Sequence, residues 1–224
     1  MRRLLFGLVA AAPLALVVAA SAGGCGGTTR AQADASADHP HPPSTGWDGA
    51  TLDAAYHPDA SCLVTIDTPP IGAAAHLDEG TPITYGSNPP CGGPHYPRWA
   101  MYGAYTAPIP PPYWVHDLEH GAIVLLYKCA PDAGLPDGGS CEAAAQAFLA
   151  QVVAALPTDP GCTPDVRVRT VLTPDPDLAT PYAAAAWGWT YTAACADLGS
   201  LVDFARQRYA KGPEDTCANG SYPP

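Results

Sequence analysis

The chain has 224 residues, and its 10 Lys+Arg against 21 Asp+Glu give a formal charge of -11, which excludes a nucleic-acid or anionic-lipid binder working through a basic face. With 27 prolines, 22 glycines and 14% charged residues, the composition describes a loop-rich fold rather than a helical bundle or a coiled coil. Its eight cysteines argue against a reducing cytosol.

Residues 1–24 read as a secretory signal. Arg2 and Arg3 supply the positive start, Leu4 to Ala20 the apolar stretch, and Ser21 to Gly24 the small residues before a cleavage site. The next residue is Cys25, and Ala-Gly-Gly-Cys is similar to the lipobox of bacterial lipoproteins. That resemblance implies an acylated Cys25 and a membrane tether, with plain secretion as the alternative. From residue 25 to 50 the chain is Gly, Ala, Ser, Thr, Pro and Asp with almost no large aliphatic side chain, a flexible linker that cannot bury enough to order itself. Residues 51–224 are expected to form a single globular domain.

Within that domain, 52–115 read as mostly turn and irregular chain, with possible short strands at Cys62 to Ile66 and Ile83 to Tyr85. The apolar run Ile123 to Tyr127 predicts a strand buried on both faces. Glu142 to Leu156 predicts a helix, because Phe148, Leu149, Val152, Val153 and Leu156 share one stripe and Pro157 ends it. Val166 to Thr173 alternates Val-Arg-Val-Arg like a half-exposed strand, and Ala183 to Tyr191 reads as another, with Trp187, Trp189 and Tyr191 on one face. Leu198 to Lys211 closes the series as an amphipathic helix burying Leu198, Leu201, Val202, Ala205 and Tyr209. The order β-α-β-β-α predicts an α+β domain of ferredoxin-like sandwich type, with a long irregular, disulfide-stapled N-terminal half.

With Cys25 acylated, seven thiols remain, so one is left unpaired. Cys129 and Cys141 flank a Pro/Gly/Asp loop, and a bridge there would pin the end of one strand to the start of a helix. No Cys-x-x-Cys is present, which removes thioredoxin-like redox chemistry. Nor does the chain contain a Gly-x-Ser-x-Gly elbow, a phosphate-cradling glycine loop or a dinucleotide fingerprint, so serine and nucleotide chemistry drop out.

The middle of the chain carries the remaining chemistry. His76 is followed by Tyr85, then Asn88-Pro89-Pro90-Cys91-Gly92-Gly93-Pro94-His95-Tyr96-Pro97, then Gly103-Ala104-Tyr105, then Val115-His116-Asp117-Leu118-Glu119-His120-Gly121. These blocks, in this order, resemble the bacterial family known as domain of unknown function 3105, over about residues 70 to 215. Cys91-Gly92 stands where that family usually has Thr-Ser. The resemblance supplies motif positions and no established activity.

The motif residues His76, His95, His116, Glu119 and His120 are candidate metal ligands. If Tyr113 to His120 is a helical turn entered from Pro110-Pro111-Pro112, then His116, Glu119 and His120 share one face by i, i+3 and i+4 spacing. Histidines from separate loops can then complete a shell, and imidazole suits zinc and copper. Met101 is read as packing beside Trp99 and Cys91 as half of a disulfide, although both are soft copper ligands in principle. His-x-x-Glu-His also matches the inverted zinc-protease motif, with Glu119 as the base of an enzyme, but Gly121 and the following strand replace the long helix of that motif.

Three functions follow as expectations. The first is a cell-envelope lipoprotein binding a divalent transition metal, zinc or copper, and contacting the membrane through its anchor, with no nucleic acid and no nucleotide. The second is a metal-dependent hydrolase or oxidase using the same residues, and the third is a disulfide-stapled interaction module whose histidines are structural.

Overall fold

A computed structural model of the chain describes residues 62–129, 139–162 and 164–223. The expected leader, Cys25 and the linker to residue 50 lie outside the described residues. Among those described, three helices and a six-stranded mixed sheet form an α+β fold. The elements run β1 (Val64–Asp67), β2 (Gly103–Ala104), α1 (Pro111–Glu119), β3 (Ile123–Tyr127), α2 (Cys141–Ala155), β4 (Thr170–Pro174), β5 (Tyr182–Ala186), β6 (Trp189–Ala193) and α3 (Leu198–Arg208).

The sheet order is β1-β6-β5-β3-β4-β2, with β3 parallel to β4 and antiparallel to β5. In a ferredoxin-like split βαβ, another strand separates the two joined by the crossover helix. Here β3 and β4, joined through α2, are direct neighbours, so the α+β class holds and the ferredoxin-like strand order is replaced. The segment from Ala183 to Tyr191 is two strands rather than one. A two-residue turn at Trp187-Gly188, with Gly188 at φ +76, folds β5 back onto β6 as a hairpin. The Val-Arg alternation also misleads, because β4 starts at Thr170, and Arg169 ahead of it is 3% exposed. Ile83 to Tyr85 forms no strand, whereas β1 falls where the sequence placed one.

Both faces of the sheet are covered. Ile123, Leu125 and Tyr127 of β3 face α2 and α3, packing with Leu149, Val152, Leu201 and Phe204. Leu198 stays exposed and Phe204 takes the inward position. Val124 and Leu126 face the other way, against Val115 and Leu118 of α1 and the irregular chain around Cys91, Tyr96 and Ala100. A strand buried on both sides has to be continuously apolar, which explains the run from Ile123 to Tyr127. The second face is the one that carries the site.

Three disulfides staple the described chain: Cys62–Cys195, the expected Cys129–Cys141, and Cys162–Cys217. Cys91, expected in a bridge, is instead a buried free thiol. No described helix is long and apolar enough to cross a membrane.

Candidate metal centre

α1 begins with Pro111 at its first turn, where the missing amide costs no helical hydrogen bond. It ends on Gly121 at φ +80, with the Gly121 N–H donating to Leu118 O and the Ala122 N–H to Asp117 O. That is a Schellman stop, and it turns the chain directly into β3. A side chain at Gly121 would run into the Ala210 backbone, and one at Gly212 would overlap the Glu119 carbonyl. The segment after α3 thus closes over the helix end, fixed also by the Glu214 amide on Glu119 O at 2.9 Å.

Every residue from Tyr113 to Glu119 is buried, so the polar side chains of α1 point into protein. His116 and Glu119, three apart, share a face. Two loop histidines meet them there. His76 and His95 form an isolated parallel bridge, in which Leu77 N–H donates to His95 O at 2.8 Å and His95 N–H to Ala75 O at 2.9 Å. The ligand atoms of His76, His95, His116 and Glu119 all lie within 4.8 Å of one another.

The histidine tautomers are set by the backbone. His95 Nδ1 donates to Gly93 O at 2.8 Å and His116 Nδ1 to Tyr96 O at 2.6 Å, which leaves the lone pair on Nε2 in each neutral ring. Carbonyl-oriented imidazoles of this kind are the usual support of a metal-binding histidine. Burial, together with the nearby His120, His95 and His76 rings, pushes the His116 pKa down to about 3 against the pull of the Tyr96 carbonyl. His116 is therefore a neutral ligand at any ordinary pH. His95 Nε2 lies 2.9 Å from Glu119 Oε2, yet both atoms are buried with no hydrogen-bond partner. With His95 protonated the contact is an ion pair, and with His95 neutral it is two facing acceptors that a bound cation would satisfy.

His120 leaves the group. It follows α1 as its cap, and its Nε2 faces Glu214 Oε2 at 3.5 Å. Trp99 packs against both His116 and His120, with ring centroids 4.9 and 4.8 Å away. Burial lowers the pKa of His120, opposed by Glu214. Among the predicted ligands, then, the structure brings four together and sets the fifth beside them. Cys91 is not in the group either.

Sequence reasoning missed the surroundings of the site. Asp117 is fully buried, with one carboxylate oxygen accepting from the Ala100 amide at 3.2 Å and the other unpartnered. Burial raises its pKa well above the ordinary carboxylate value. Arg169 donates to His120 O at 2.7 Å and pairs with Asp159 and Asp215 at 2.8 and 2.6 Å. No local signal marked Arg169, which stands between Val168 and Thr170 just ahead of β4 in an alternation that reads as half-exposed.

A disulfide-stapled α+β protein with a three-histidine, one-carboxylate cluster, exposed at His76 and buried at the other three, is the class that fold and site define. The family model described as "Protein of unknown function (DUF3105)" matches residues 76–220, from the first of those histidines to the segment that closes over α1. The chain belongs to that family. No curated protein and no solved structure matches it.

Proposed function

We propose that the protein is a cell-envelope lipoprotein that binds one divalent transition metal ion, zinc or copper, through His76, His95, His116 and Glu119. The observation that carries this reading is the convergence of the ligand atoms of His76, His95, His116 and Glu119 to within 4.8 Å of one another, with His95 Nε2 and Glu119 Oε2 buried 2.9 Å apart. For bonds of ~2.0–2.1 Å, two ligands of one ion stand about 2.9 Å apart at a right angle and about 3.3 Å apart in a tetrahedron. The 2.9 Å pair already matches two ligands at a right angle and lies about 0.4 Å inside a tetrahedral edge. One carboxylate and neutral imidazoles give a donor set with a single negative charge, which suits a dication, and imidazole suits zinc and copper.

Metal analysis of the purified exported form, loaded with zinc or copper and then desalted, tests the ion. About one equivalent is expected, and less than about 0.1 equivalent of either metal rejects the reading. The tether rests on the similarity of Ala-Gly-Gly-Cys25 to a lipobox. Labelled palmitate should enter the wild type and not Cys25→Ala, which should leave the membrane fraction.

A further inference from the structure

The four ligands are unequal in burial, in distance and in the chain that holds them. The side chains of His95 and Glu119 are 0% and 9% exposed, whereas that of His76 is 52% exposed. His76 Nε2 stands 3.8 Å from Glu119 Oε2, against 2.9 Å for His95, so His76 has to move inward by about half an ångström to reach a tetrahedral edge of about 3.3 Å.

Its support is also the weakest. His116 and Glu119 sit on a buried helix, and His95 is held through its own Nδ1 by Gly93 O. His76 ends an exposed run, Gly72 to Ala75, that presents three alanines to solvent. The bonds described for its backbone stretch are the two of the bridge to His95, from Leu77 N–H and to Ala75 O. Breaking such bonds costs little once water replaces them.

Resting on the metal-binding reading above, we infer that His76 is the exchangeable ligand through which the ion enters and leaves, handed to or taken from an acceptor that offers a nitrogen or sulfur donor. One metal–nitrogen bond to His76 breaks as one bond to the incoming donor forms. The ion keeps its oxidation state, and a neutral donor releases no proton. The three buried ligands hold the ion while this substitution proceeds, so transfer occurs at the His76 face without the ion passing free through water. A site with four equally buried ligands would release its ion only by opening the fold.

The test uses the exported protein carrying one equivalent of zinc, mixed with the chromophoric chelator 4-(2-pyridylazo)resorcinol in a stopped-flow cell. Zinc transfer from the wild type is expected to rise linearly with chelator concentration. In His76→Ala, the zinc remains bound at equilibrium by the three buried ligands, though more weakly, and transfer is at least tenfold faster. Added imidazole, filling the vacated position, slows that transfer back toward the wild-type rate. His116→Ala, which removes a buried ligand, loses stoichiometric loading altogether. A wild type that retains no zinc defeats the metal-binding reading itself. A wild type that retains one equivalent overturns the exchange role alone if His76→Ala transfers within twofold of its rate, if transfer is independent of chelator concentration, or if His76→Ala takes up no zinc at equilibrium.

Discussion

His95 Nε2 and Glu119 Oε2 lie 2.9 Å apart in the interior, each without a hydrogen bond. Replacing Glu119 by Gln puts a donor where one acceptor stood, so the amide can donate to His95 Nε2 in the metal-free protein. At a pH where His95 is neutral, Glu119→Gln is therefore expected to stabilise the metal-free fold by about 1 kcal/mol. The same change removes the site's negative charge and should weaken zinc binding at least tenfold. Thermal unfolding with and without zinc reads both effects, and a Gln variant that binds zinc as tightly as wild type contradicts the assignment of Glu119.

The i, i+3, i+4 spacing of His116, Glu119 and His120 predicts three ligands on one face, and the structure keeps two. His120→Ala should retain its metal equivalent, because His120 Nε2 faces Glu214 rather than the cluster. His116→Ala should lose it. Circular dichroism checks that both variants remain folded. Equal loss of metal in the two would return His120 to the ligand set.

The cluster also fixes how the metal-free protein responds to acid. The folded pKa of His116 is depressed to about 3 from an ordinary 6.5, so between those values the unfolded chain takes up a proton that the folded chain refuses. The stability from His116 is fully present above about pH 6.5 and falls as pH drops toward 3. His120 acts in the same direction. Asp117 acts oppositely: its raised folded pKa means that its contribution weakens as pH rises above 3.8. Urea midpoints of metal-free protein should be lower at pH 4.5 than at pH 7.5. In Asp117→Asn, which removes the opposing group, the acid-side loss should be steeper. In Asp117→Asn, a midpoint unchanged over that range rejects the buried, neutral state of His116.

Much of this arrangement was legible from local pattern. The continuous run Ile123 to Tyr127, the stripe of α2 and the proline entry to α1 each report a local physical requirement, and each element appears where those residues place it. The Cys129–Cys141 bridge follows from a loop short enough for its ends to meet. What stayed hidden depends on distant chain. Cys62 pairs with Cys195 across 133 residues, and no local spacing records that. Arg169 reads as a surface residue because its carboxylate partners are Asp159 and Asp215, one before it and one far after it. His120 satisfies the helical spacing of a ligand, but the helix stops at Glu119 and the Schellman turn begins with it.

Cys91, the buried free thiol among the described residues, is held well away from reactivity: burial pushes its pKa up to about 11. The thiolate is the nucleophile, so native protein at pH 8 should resist iodoacetamide for hours. In denaturant without reductant, one described cysteine per chain should become alkylated, with mass spectrometry placing the label on Cys91. Rapid labelling of the native protein would show that this part of the second core opens. Cys91→Ala should cost no more than about 1–2 kcal/mol, as a small buried side chain is being trimmed rather than a bridge broken.

Arg169 joins three parts of the chain behind the site. Its guanidinium pairs with Asp159 at 2.8 Å and Asp215 at 2.6 Å, and donates to the His120 carbonyl at 2.7 Å, while the Tyr209 hydroxyl donates to Asp159 at 2.8 Å. Burial alone would raise the Asp159 pKa, but Tyr209, the Gly161 amide and Arg169 outweigh it and hold the carboxyl below its ordinary value. Arg169→Met leaves that inward carboxylate without its cation and is expected to cost about 3–5 kcal/mol in urea unfolding. Adding Asp159→Asn removes the stranded charge, so the double variant should recover part of the loss. A single variant within 1 kcal/mol of wild type, or a double variant no better than the single, would show that the network contributes little to holding the C-terminal segment over α1.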